Sequence, residues 1–372
     1  MSGPSRRGLL AGGGLALAAV TARAAPRPKG PAAGPGRAAW SAAEPASQGL
    51  SSAALRQAAD ALAVRGERQG LVVVRHGRLA FEAYWRNAWH LDRPDWPNVS
   101  FSSGKSWGAT MIGRAVTEGR LRTSDLMARY HPAATSGLKP ETTIEHVLTM
   151  TSGGTLNVKP SSRPPRKLDD PGPPGPAMEY AWQPEGERGS PPGYGRTIAP
   201  GSTFYYDGAP ADHLADVTAA ATGMTSHRYM MEHVVAPLGC EVFRYQPEGV
   251  DRAGNIRIGG SILLSCRDMA RLGQLYLNRG RWGSAQLVEA DYITRALTPS
   301  PLNASYGYLW WLNGEGRVAS APRDMAFAAG ARGQFCFVLP AHDMVVATMG
   351  FGEAQLSAEQ AWQALAPILP RV

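Results

Sequence analysis

Three cysteines in 372 residues, Cys240, Cys266 and Cys336, with no C-x-x-C pair among them, exclude a disulfide scaffold and argue against a thiolate zinc site. Two of them could pair in an oxidising compartment, which would leave one over. No tandem repeat at a period of roughly 20 to 50 residues is visible, which argues against solenoids and propellers. Beyond the N-terminus no uncharged apolar run approaches the roughly 18 residues that cross a bilayer, so no stable membrane insertion is expected. There is no H-E-x-x-H and no G-x-S-x-G, and Gly104-Lys105-Ser106 lacks a phosphate loop's earlier glycine, Val99 standing there. Lysine and arginine do not alternate with aromatics, so no nucleic-acid partner is expected. What is present is 44% hydrophobic and 18% charged residues, the balance of a chain that buries a core. Gly 43 and Pro 30 together make about a fifth of the chain, which points to many loops.

The first 24 residues read as an export signal. Arg6-Arg7 precede an apolar run from Leu9 to Val20, and Ala22-Arg23-Ala24 offers small residues to a signal peptidase. The paired arginines fit a twin-arginine signal, and the mature protein is expected in a bacterial periplasm or outside the cell. Loss of three arginines takes the formal charge from +8 to +5. Residues 25–47, rich in Ala, Pro and Gly, read as a flexible linker, and residues 48–372 as the folded domain.

Within that domain Leu71-Val72-Val73-Val74 and Leu79 to Tyr84 flank a turn at His76-Gly77, a predicted hairpin. A second hairpin joins Gln334 to Val338 with Met344 to Thr348, followed by a helix-like run from Ala354 to Leu365. Between them the patterns are helical: Lys105 to Glu118, Ile144 to Met150, Ala209 to Thr222 closed by Gly223, and Asp268 to Leu277 closed by Gly280. The fold class expected is α+β, a sandwich in which an antiparallel sheet from both chain ends is flanked by helices, with a helical lobe at about 105–250 inserted. Residues 155–200, with eleven prolines, read as a long loop that could form the rim of a cleft.

Phe101-Ser102-Ser103-Gly104-Lys105 holds an S-x-x-K at a predicted helix start. Residues three apart share a helix face, so Ser102 Oγ and Lys105 Nζ can meet. A lysine whose charge is disfavoured can take a serine's proton, and the helix N-terminus favours the oxyanion that follows. Alone, the same motif also describes a capped helix with a solvated lysine.

Further segments give it company. Pro200-Gly201-Ser202-Thr203-Phe204-Tyr205-Tyr206-Asp207-Gly208 resembles the P-G-x-x-F-x-Y-S-N segment of the serine β-lactamase and penicillin-binding-protein superfamily. Thr143 to Gly154 resembles its I-x-H-L-L-x-x-T-S-G segment, and Leu71 to Gly77 its opening hairpin. Ala236-Pro237-Leu238-Gly239, Ser265 to Gly273 and Tyr306 to Trp311 are similar to its later landmarks, in order. The branch it resembles is the class C-like esterase and 6-aminohexanoate-oligomer hydrolase group.

The resemblance implies that Ser102 is acylated, that Lys105 takes its proton, and that Tyr206 shares the base role and protonates the leaving group. It implies an oxyanion N–H near Ala331, opposite that of Ser102, and no cofactor or metal. Two departures stand out. Gly208 replaces the Asn of Y-x-N, and Ala328-Ala329-Gly330 replaces the K-T-G or H-x-G of the inner strand, leaving Arg332 as the candidate for a substrate carboxylate. A small carboxylic ester or short linear amide is therefore the expected substrate. The alternatives are a β-lactamase or D,D-peptidase acting on the cell wall, and a catalytically silent binding protein. His146 and His342 read as packing or surface residues, and the three cysteines as buried hydrophobes. Trp310-Trp311 read equally as cleft or core, and the oligomeric state is left open.

Overall fold

The computed structural model describes residues 34–131, 138–155, 197–206, 208–352 and 355–370; the expected signal and most of the Pro-rich loop lie outside them. A six-stranded antiparallel sheet is assembled from both ends of the sequence. Its strands are β1 (Arg68–Arg75), β2 (Arg78–Tyr84), β3 (Trp311–Leu312), β4 (Ala326–Gly330), β5 (Gln334–Leu339) and β6 (Met344–Gly350), in the order β3-β4-β5-β6-β1-β2. The ends join where β1 lies against β6, Val73 opposite Val346. The β1–β2 turn is tight because His76 and Gly77 both take positive φ, 51° and 69°.

Both sheet faces are buried, which is why the central strands are apolar throughout instead of alternating with polar residues. Val72, Val74, Val338, Val345 and Ala347 point into a large core shared with the helical lobe. Leu71, Val73, Phe335, Phe337 and Val346 point the other way, onto the helices α1 (Ser52–Ala63) and α5 (Ala358–Leu365). Trp362 of α5 meets Phe337 edge to face at 5.5 Å. On the first face lies α4 (Cys266–Leu277), capped by Ser265 Oγ on the Asp268 N–H. It approaches closely at Gly273, where a Cβ would sit 2.6 Å from Cys336 Sγ.

The lobe is built on α2 (Gly104–Thr117), eleven of whose fourteen residues are buried, and on α3 (Ala209–Thr222), closed by Gly223 in the left-handed conformation at φ 71°. A helix buried on all sides serves here as the axis around which the lobe packs.

One sequence expectation changes. Residues 34–47 are not a free tether. Trp40 is 8% exposed against Trp282, the backbone bonds Leu79 on both sides, and the buried Arg271 donates to Ala38 O at 3.0 Å. One aromatic and a set of backbone groups suffice to dock a stretch otherwise short of apolar side chains. The cysteines are all free, and Cys266 and Cys336 donate weakly to the carbonyls of Ala347 and Met269.

Candidate active site

Ser102 sits in a single 3-10 turn, Phe101–Ser103, that runs into α2. The turn is held from three sides. Ser100 N donates to Ile262 O at 2.8 Å, Ser103 Oγ donates to Ser100 O at 2.6 Å, and Phe101 adopts φ 45°. A left-handed phenylalanine costs of order 1–3 kcal/mol and persists because its surroundings fix it. Its ring stacks on Phe351 at 6.2 Å, with Trp89 edge-on beyond at 5.4 Å. Gly260, at φ 143°, passes so close that a Cβ would lie 2.5 Å from the Phe101 carbonyl.

The motif's spacing delivers the expected contact. Lys105, 4% exposed, donates from Nζ to Ser102 Oγ at 3.2 Å and to Gly259 O at 3.3 Å. Tyr206, just before α3, places its ring 5.0 Å from the same Nζ, a cation–π distance. Serine, lysine and tyrosine thus surround one buried ammonium. Gly208 leaves the ammonium open on one flank, since a Cβ there would stand 3.8 Å from Nζ.

The inner strand β4 ends against the serine turn. A Cβ on Gly330 would overlap Ser100 O at 2.2 Å and stand 3.1 Å from Ser103 N, so glycine permits the close approach of the strand end to the serine turn. The Ala331–Gly333 turn is pinned by the buried Arg68, whose guanidinium donates to Arg332 O at 2.9 Å and Gly333 O at 2.6 Å. Burial lowers the Arg68 pKa to about 10.

Arg332, the sequence candidate for a substrate carboxylate, turns onto the Phe351 ring at 4.5 Å and donates to Gly352 O, while its N–H donates to Gln355. A second cation, Arg317, lies one ring further from the tyrosine. Its guanidinium lies 3.8 Å from the centroid of Trp311, and Trp311 stacks on Tyr206 at 5.4 Å and 25°. The paired tryptophans divide accordingly, with Trp310 fully buried on Tyr276 and Trp311 beside the tyrosine.

Sequence reasoning also missed Asp212. It lies in the first turn of α3 and accepts from Gly259 N at 2.9 Å, on the residue whose carbonyl holds Lys105. Burial pushes its pKa up to about 6, against the pull of Gly259 N–H and the Lys105 charge. An acid in a helix's first turn is a readable signal, but its tie to Lys105 runs through backbone and has none. His146 caps its own helix reciprocally with Thr143, as a packing residue would.

A family model for beta-lactamases matches residues 53–365. The chain belongs to the beta-lactamase family. This beta-lactamase-family chain is similar in structure to a protein described as a 6-aminohexanoate-dimer hydrolase from Bacillus anthracis, at 19% identity and TM-score 0.63, over 82% of this chain and 80% of that one. A penicillin-binding protein from Bacillus halodurans aligns at 18% identity and TM-score 0.59, over 85% and 98% of the two chains. A beta-lactamase from Mycobacterium bovis does so at 15% and 0.58, over 83% and 96%. At such identities the likeness shows the fold. No curated protein matches the chain in sequence.

Proposed function

We propose that the chain is a serine hydrolase that forms an acyl-enzyme on Ser102 and cleaves a carboxylic ester or short linear amide. The observation that carries this reading is the 3.2 Å contact between the buried Lys105 Nζ and Ser102 Oγ. An ordinary helical lysine would hold its ammonium in water.

In the reaction Ser102 Oγ adds to the substrate carbonyl carbon, and its proton passes to the Lys105 and Tyr206 pair. The C=O electron pair moves to oxygen, stabilised by the backbone N–H groups of Ser102 and Ala331 and by the N-terminus of α2. Collapse restores the C=O and breaks the bond to the leaving alcohol or amine, which takes a proton from Tyr206. Water then enters by the same route in reverse and releases the carboxylic acid from Ser102. Gly208 favours esters, because no side-chain amide stands there to orient the N–H of an amide substrate. The Arg6-Arg7 pair and the apolar run from Leu9 to Val20 support a reaction after export, in the periplasm or outside the cell.

Intact-mass spectrometry after exposure to a fluorophosphonate tests the reading, with Ser102→Ala in parallel. One adduct on the wild type and none on the variant is the expected result. Folded wild-type protein that takes up no adduct would overturn it in favour of a binding protein.

A further inference from the structure

On α3 His213 follows Asp212 directly and Asp216 stands one turn beyond, His213 and Asp216 three apart and so on one helix face. His131, following the 3-10 turn Met127–Arg129, reaches the same place from another part of the chain. One donor atom from each of the three lies within 4.8 Å of the others. The two imidazole rings are 4.7 Å apart at 38°, His213 is 2% exposed, and the side chains of His131 and Asp216 are mostly buried.

Neither histidine reaches the carboxylate by a hydrogen bond. Their Nδ1 atoms stand 3.9 Å (His131) and 3.7 Å (His213) from Asp216 Oδ2, beyond hydrogen-bond range. His131 Nε2 is buried without a hydrogen-bond partner among the described residues. Two stacked imidazolium cations sharing one carboxylate would repel each other. The other carboxylate oxygen is already oriented. Asn255 Nδ2 donates to Asp216 Oδ1 at 3.0 Å, and Asn255 is itself fixed by Ser226 N and Oγ on its Oδ1. An outer amide that aims a carboxylate inward is the support a metal ligand receives.

We propose that His131, His213 and Asp216 bind a late first-row divalent cation, zinc foremost, with water completing the shell. Zinc bonds of about 2.0–2.2 Å in tetrahedral geometry space the donor atoms by about 3.4 Å. The two nitrogen–oxygen separations, 3.9 and 3.7 Å, therefore close by about 0.3 to 0.5 Å, and the nitrogen–nitrogen separation, within 4.8 Å, by up to about 1.4 Å, within reach of side-chain rotations. Two imidazoles and one carboxylate suit zinc or nickel over calcium or magnesium, which prefer oxygen. The ion clamps His131, just after the turn Met127–Arg129, to the helix that follows Tyr206, a structural role separate from the acylation of Ser102.

The test is zinc titration by calorimetry on metal-stripped full-length protein, with cobalt(II) absorption as a reporter of tetrahedral coordination. The expected result is one zinc per chain with a dissociation constant below about 10 μM, a higher Tm on zinc addition, and a visible cobalt band. His131→Gln and Asp216→Asn should each weaken zinc binding at least tenfold, with circular dichroism and fluorophosphonate labelling of Ser102 unchanged. His131→Gln keeps a polar group of similar size, so it distinguishes a lost ligand from a lost fold. Absence of binding at 0.1 mM zinc would overturn the proposal. Equal binding by wild type and both variants would overturn it as well.

Discussion

Asp212 and Lys105 hold opposite sides of one residue: the Gly259 N–H donates to Asp212 Oδ1 at 2.9 Å, and the Gly259 carbonyl accepts from Lys105 Nζ at 3.3 Å. A carboxylate thus sets the position of the ammonium without touching it. Because its pKa is raised to about 6 in the fold, against about 3.9 unfolded, the folded state binds the extra proton between those values. The sign follows. Stability contributed by this group is present below pH 4 and is lost as pH rises through 6, by about 3 kcal/mol at most. Asp212→Asn should flatten that slope and, by weakening the charge-assisted hold on the Gly259 N–H, slow Ser102 acylation severalfold. Urea unfolding at pH 4.5 and 7.5 for both proteins checks it; parallel pH profiles would refute it.

Gly208 should be a lever on substrate choice. Its φ of −82° suits any residue, and its Cβ position is in ordinary contact distance of Lys105 Nζ. Gly208→Asn restores an amide beside the ammonium. The ratio of amide to ester kcat/KM should rise about tenfold, the worth of one well-placed hydrogen bond. A ratio unchanged or lowered would show that this position does not touch the substrate.

With Arg332 turned onto Phe351, Arg317, held on Trp311, is the candidate for a substrate carboxylate. Arg317→Ala should raise KM about fivefold for an ester carrying a distal carboxylate and leave a neutral ester of the same size unaffected, in line with an exposed charge–charge contact of about 1 kcal/mol. The effect should shrink in 1 M salt. Equal losses on both esters would assign Arg317 to packing.

Gly260→Ala tests whether the serine turn depends on close backbone passage. A methyl 2.5 Å from the Phe101 carbonyl, at φ 143°, should cost about 3 kcal/mol of unfolding free energy. It should also slow acylation, because Phe101 carries Ser102. A loss below 0.5 kcal/mol on urea unfolding would mean that the turn yields freely.

Much of this was legible in the residues. Helix α3 was read with both ends correct because Gly223 closes it, and the hairpins followed from His76-Gly77 and from apolar strands that reach both cores. Ser102 and Lys105 were local, three apart on one face. Tyr206 was found through family resemblance, since nothing in a lone tyrosine a hundred residues away announces a partner. Asp212 and Arg317 stayed hidden for another reason: one acts through the backbone of Gly259 and the other by lying on Trp311. His131 and His213 are far apart in the chain, and spacing rules see only neighbours. Arg332 was misplaced because the turn at φ 60° sends its side chain to Phe351.

The pairing of β1 with β6 sets a timetable for biogenesis. Arg75 lies opposite Met344, so the first hairpin waits for a partner that the ribosome makes last. At about 5–20 residues per second, that wait is roughly 15 to 55 seconds, during which one edge of an apolar hairpin lacks its neighbour. The nascent chain is therefore a natural client for chaperones. A ribosome stalled before residue 344 should leave a product that aggregates, however complete its helical lobe.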